Sequence, residues 1–114
     1  MIIGDGTMST IEWALTAESE RQRVTANNIA NINTPGFHSS RLDFEQSLQD
    51  ALDPTSDHTA RIDTRAANTP QNINGNDVSI EDETVILEKS SVHYDALVQA
   101  MNFKFSAMRS AIGR

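Results

Sequence analysis

Apolar side chains recur most regularly in the last third of the chain. Leu87, Ser91, Tyr94, Val98, Met101, Phe105, Met108 and Ile112 follow one another at alternating spacings of four and three residues, and Ser91 alone in that row is small and polar. Such a row lies along one stripe of an α-helix, and over more than three heptads it predicts a coiled-coil-type seam. Leu97 and Val92 widen the stripe. Ser79 and Asp82 form a capping box at its start, Glu81, Asp82 and Glu83 place negative charge in the first turn, and Lys104, Arg109 and Arg114 sit towards the end. Both charge placements suit the helix dipole, so a helix is predicted over 79–112.

The first third repeats the theme more weakly. Ile11, Leu15, Ala26 and Ile29 keep helical spacing with Trp13, Ala14, Ala17 and Val24 beside them, while Glu18, Ser19 and Gln22 interrupt the stripe. Ser9 and Glu12 form another capping box, and the helix is predicted over 8–33. A short amphipathic helix is expected over 41–52, through Leu42, Leu48 and Leu52 with Phe44 and Ala51 alongside. Residues 53–78 are polar. Between Asp53 and Asn76 only Ile62 and Ile73 are large and apolar, too little to offset the entropy of ordering the segment, so an extended or mobile connection is expected there. The fold class is therefore mainly α within a single domain. Two long terminal helices pair as an antiparallel coiled coil, with a short third helix and an extended or disordered middle segment.

Composition narrows the partners. With 38% hydrophobic and 5% aromatic residues in 114, an isolated chain has little apolar surface to bury, and neighbours are expected to complete the fold. The free protein is expected to be partly disordered, ordering on assembly. A formal charge of −7 without clustered Lys and Arg argues against nucleic acid and anionic membranes as partners. No apolar run approaches the roughly 20 residues of a membrane-spanning helix, so direct membrane insertion is not expected. The N-terminus has no basic region, apolar stretch or small-residue cleavage site, so a cleaved signal peptide is not expected. The absence of cysteine removes disulfides and thiolate chemistry.

Residues 26–37 read Ala-Asn-Asn-Ile-Ala-Asn-Ile-Asn-Thr-Pro-Gly-Phe. Asparagine is a poor helix-interior residue because its amide competes for backbone hydrogen bonds. Asn27, Asn28 and Asn31 nevertheless fall where the helix is still running. Asn28 and Asn31 lie three apart, and their amides are expected to reach a neighbouring chain. Asn33 and Thr34 end the helix because Pro35 disfavours helical backbone at Thr34, and residues 34–40 form a turn. Pro35-Gly36 suits the centre of a type II turn, Gly36 supplying the positive φ, before Phe37.

This segment resembles the N-terminal signature shared by the flagellar rod, hook and hook-associated proteins. Arg21-Gln22-Arg23-Val24, Arg41-Leu42-Asp43-Phe44-Glu45, Asn74-Gly75-Asn76-Asp77-Val78 and Tyr94-Asp95-Ala96-Leu97-Val98-Gln99-Ala100-Met101 point within that family to the proximal rod proteins. The resemblance implies a structural subunit, not an enzyme, needing no cofactor or metal. It implies export through the flagellar export apparatus and polymerisation with copies of itself and other rod subunits into a hollow periplasmic shaft. That shaft would stand on the rod-base adaptor and membrane ring, and its terminal helices would line the tube. The assembly seam would comprise Leu87, Tyr94, Val98, Met101, Phe105, Met108 and Ile112. A second proximal rod protein and a helical export chaperone or adaptor remain the alternatives.

Other chemistry is set aside. His38, His58 and His93 are too scattered for a helix-borne metal pair. Asn72-x-Asn74-Gly75-Asn76-Asp77 lacks the acidic ligands of a calcium loop and reads as a turn. Gly4-x-Gly6 follows no strand, and no Gly-x-Ser-x-Gly or Walker signature occurs. Asp82 and Glu83 read as dipole partners and solvated charges.

Overall fold

The computed structural model describes residues 6–52, 64–67 and 69–113. Three helices and two short strands follow in the order α1 (Gly6–Ala30), β1 (Ser40–Leu42), α2 (Phe44–Leu52), β2 (Thr64–Ala66) and α3 (Ile80–Ile112). The molecule measures 65 × 30 × 15 Å with a radius of gyration of 17.6 Å. A compact domain of this length has a radius near 13 Å, so the shape is that of a rod. Its long axis is set by α3, about 50 Å at 1.5 Å per residue.

The two long helices run antiparallel, because Asn28 near the end of α1 meets Glu83 near the start of α3 while Glu18 meets Ser90 further along. From the Glu18–Ser90 contact α1 has twelve residues left towards Gly6, whereas α3 has twenty-two left towards Ile112. About ten residues of α3, roughly 15 Å, therefore run past the described start of α1.

Helix α1 is buried over a wide sector with two partners. Ile11, Glu18 and Thr25, seven apart, are buried on one side, where Glu18 meets α3. Trp13, Ala17 and Leu42 form the apolar core on the other, with Ala14, Phe44 and Leu48 packed against it. The Trp13 and Phe44 rings sit 5.3 Å apart and tilted by 57°, and the Arg21 guanidinium lies 5.3 Å from the Phe44 ring centre. Both are favourable ring geometries. Helix α2 is thereby held on the face of α1 that α3 leaves open.

Several boundaries differ from the sequence expectation. Helix α1 starts by Gly6, so Ser9 lies inside it and the Ser9–Glu12 capping box does not open it. It ends at Ala30 because Ile32 and Thr34 donate to the carbonyls three residues back, at Ile29 and Asn31, tightening the chain out of the α-helix. The short helix begins at Phe44, not at residue 41. Arg41 and Leu42 are drawn into β1, whose partners in antiparallel β2 are Arg65 and Thr64, and Asp43 caps α2 by accepting from the Gln46 N–H at 3.2 Å. Ser79 caps α3, accepting from Asp82 N–H at 3.4 Å.

The polar connection, expected to be extended or mobile, is extended where it is described. Residues 53–63 and 68, with Ile62 and His58, lie outside the described residues. From 64 onwards the backbone is tied down: Ala67 N–H donates to Ser39 at 2.8 Å, Thr69 Oγ1–H to Asp77 at 2.7 Å and Asp77 N–H to Phe37 at 3.2 Å. Asn76, Asp77 and Val78 are buried. Hydrogen bonds, not apolar contacts, order this stretch, which is why its composition concealed it.

Candidate functional site

The Asn-Thr-Pro-Gly segment and the segment before α3 form one polar clasp. Gly36 has φ +72°, and the Phe37 N–H donates to Thr34 at 3.3 Å, closing the turn around Pro35-Gly36. A second left-handed glycine, Gly75 at φ +80°, closes another turn by donating to Asn72 at 2.9 Å. The two turns lie against each other, with Gly36 N–H donating to Asn74 O at 3.0 Å. Asn76, buried between them, donates its side-chain amide to Asn31 O at 2.8 Å and Thr34 O at 2.7 Å. It thus gives a second hydrogen bond to two carbonyls just past the end of α1, each already paired within its turn.

A Cβ built on Gly36 would meet nothing within 4 Å, so substitution there is strained only through its backbone. Gly36→Val is expected to destabilise the chain by about 1–2 kcal/mol or more, because a β-branched residue tolerates positive φ poorly. Gly36→Asn should cost less. Urea denaturation of the pair measures the difference.

Asn28 does within the chain what the sequence assigned to a neighbour. Its amide donates to Ser40 O at 2.8 Å and accepts from Ser40 N–H at 3.1 Å, so the side chain pairs with β1 as a strand backbone would. The same Nδ2 donates to the Glu83 carboxylate at 3.1 Å. Asn31 is likewise engaged locally, donating to Asn27 O at 2.8 Å and accepting from Thr34 Oγ1–H at 3.1 Å. Glu83 is 0% exposed and also takes an ion pair from Arg41. It is no solvated dipole partner but the junction of α1, β1 and α3. A helix-interior Asn and an acidic residue in a first turn gave no signal of pairing across 55 residues of sequence.

Asp77 closes the other side of the clasp. It accepts from the Ser39 N–H and Oγ–H, the latter at 2.8 Å, and faces the His38 Nδ1 at 3.2 Å. Burial pushes its carboxyl pKa up, but the two Ser39 donors and His38 outweigh burial and hold it below the usual aspartate value. A depressed carboxylate contributes stability that is complete above its unfolded pKa, about 3.9, and lost as pH falls through the lower folded value. The denaturation midpoints of the parent and Asp77→Asn should be well separated at about pH 5 and approach each other as pH falls below about 4.

The seam of α3 is rotated from its expected setting. Its buried residues are Glu83 and Ser90, and Leu97 and Lys104, at the next two positions seven apart, are half-buried. This row, not Ser91, Val98, Phe105 and Ile112, completes the inner stripe with Leu87, Met101 and Met108, which are half-buried themselves. Ser90 donates to the Glu18 carboxylate at 2.7 Å, and Arg21 and His93 flank that carboxylate at 3.2 and 3.5 Å. On the outer row Phe105 is 46% and Ile112 83% exposed, Tyr94 is exposed beside them, and Val98 is half-buried. Val92 and Phe103 stand out on a further face. Phe105, Met108 and Ile112 border an open apolar hollow with Arg109 and Gly113.

Among the described residues no three His, Asp or Glu converge as metal ligands, and no helix is long and apolar enough to cross a membrane. A paired-helix rod, a polar clasp over an Asn-Thr-Pro-Gly turn and a bare apolar row define a class. The family model described as "Flagella basal body rod protein" matches residues 8–38. The flagellar basal body rod protein FlgB of Bacillus subtilis is 30% identical over 98% of this chain and 97% of its own length. FlgB of Aeromonas hydrophila is 29% identical over 89% of this chain and 88% of its own, and that of Escherichia coli 25% over 95% and 94%. The chain belongs to the FlgB family of flagellar basal body rod proteins. The family is a structural one, of the flagellar basal body.

Proposed function

We propose that this chain is a structural subunit of the proximal rod, polymerising into the hollow shaft that carries motor torque across the periplasm. The observation that carries the proposal is the outer row of α3. Phe105 and Ile112 stand exposed beside Tyr94 and Val98 on a helix that outruns the described part of α1, and no described residue covers them. Rows of this kind are covered by further helices, and contacts between unlike surfaces propagate as a filament. The partners proposed are copies of the chain, other rod subunits, the rod-base adaptor and membrane ring, and the flagellar export apparatus. Of the expected assembly seam the proposal keeps Tyr94, Val98, Phe105, Met108 and Ile112 as the surface for neighbours, while Leu87 and Met101 belong to the inner stripe of α3.

Electron microscopy of purified basal bodies carrying a labelled chain tests this. Label at the cell-proximal end of the rod is expected. A chain found only in the cytoplasm, bound to another secreted subunit, would point to an export chaperone instead.

A further inference from the structure

Sixteen acidic residues outnumber nine lysines and arginines, yet four of those nine surround one opening. Arg21 of α1, Arg41 of β1, Arg65 of β2 and Lys89 of α3 line a cleft of about 220 Å³. Two of them are already matched, Arg21 by Glu18 and Arg41 by Glu83. Arg65 and Lys89 are exposed, and among the described residues neither side chain has an ion pair or a hydrogen bond. Val24, Leu42 and Ile86 give the cleft an apolar wall. Two unmatched cations beside such a wall suit a short segment carrying one apolar residue and two carboxylates.

The chain presents such a segment at the start of α3. Ile80, Glu81 and Asp82 are all exposed, and neither carboxylate has a cation partner among the described residues. Because α3 is one continuous helix, Asp82 and Lys89 stay about 10 Å apart along it and cannot meet within one chain. The geometry points to a contact between copies, in which the cleft of one subunit takes Ile80-Glu81-Asp82 of the next. The donor and acceptor surfaces differ, so the contact repeats without closing. Between copies that are each acidic overall, a local meeting of opposite charge also fixes register. This inference rests on the polymerisation proposed above and names its ionic contact.

Carbodiimide, which joins an ammonium to a touching carboxylate, tests it on isolated basal bodies. Mass spectrometry should find Lys89 linked to Glu81 or Asp82, at a yield that falls severalfold when salt is raised before linking. Lys89→Glu with Arg65→Glu should abolish motility, as should Glu81→Lys with Asp82→Lys, and combining all four changes should restore it. Basal bodies that contain the chain without that link, or a motile Lys89→Glu/Arg65→Glu strain, overturn the inference. A lost motility that the four-fold exchange does not restore overturns the choice of a second copy as occupant. Absence of the chain from basal bodies of the parent strain would instead overturn the rod reading itself.

Discussion

Arg41→Met should be the most damaging single change to the free chain, lowering its stability by about 3–5 kcal/mol. Glu83 has no exposed surface, and Arg41, itself largely covered, is the cation that faces it. Without the guanidinium, the carboxylate keeps its hydrogen bond from Asn28 but not its countercharge, and an uncompensated buried charge is far costlier than a missing pair. In a chain whose core is Trp13, Ala17 and Leu42, that loss approaches the whole stability of a small domain. Circular dichroism through a urea titration should show the midpoint collapse. Arg41→Met combined with Glu83→Leu should recover most of it, because Asn28 retains both its bonds to Ser40. Equal damage in the single and double variants would show that Arg41 acts through packing and not through charge.

Phe105→Asp should have the opposite profile, sparing the free chain and abolishing assembly. Phe105 is nearly half exposed and lies about where α3 begins to outrun the described part of α1, so little among the described residues depends on it. Once a neighbour covers the row, even truncation to Ala forfeits a packed aromatic group, about 3–5 kcal/mol at a fully buried site, repeated in every subunit. An aspartate adds the cost of burying a charge. The monomer's melting temperature should hold while motility disappears. Normal motility in that strain would remove the outer row from the assembly surface.

The two helices were legible because helical spacing and end signals are local. Ser79 with Asp82 marked the start of α3, and the apolar row from Leu87 to Ile112 marked its course. The rotation of that row was not legible. The face against α1 passes through Glu83 and Ser90, which any hydrophobic reading assigns to water, so the seam was set one row towards Phe105 and Ile112. The clasp escaped for a related reason. Asn28 with Ser40, Asn76 with Thr34 and Asp77 with Ser39 are pairings across 12 to 42 residues made by side chains that singly look like turn formers. The Asn-Thr-Pro-Gly turn could be read as a turn, but its second half, around Gly75, could not be seen as its counterpart.

The character of the interior bears on how the free chain responds to temperature. The largest wholly buried side chains are Glu83, Asn28, Asn76, Ser39, Ser47 and Ser90, every one of them polar. Exposing apolar surface raises the heat capacity on unfolding, by about 0.45 cal/mol/K per Å², while exposing polar surface lowers it by about 0.26. A chain that hides amides, hydroxyls and carboxylates at its centre and leaves Phe105 and Ile112 outside therefore has a small heat-capacity increment. Calorimetry of the free chain should find a shallow stability curve that cold weakens little. A polymer of the proposed kind, which takes the apolar rows out of water, should depend on temperature more steeply.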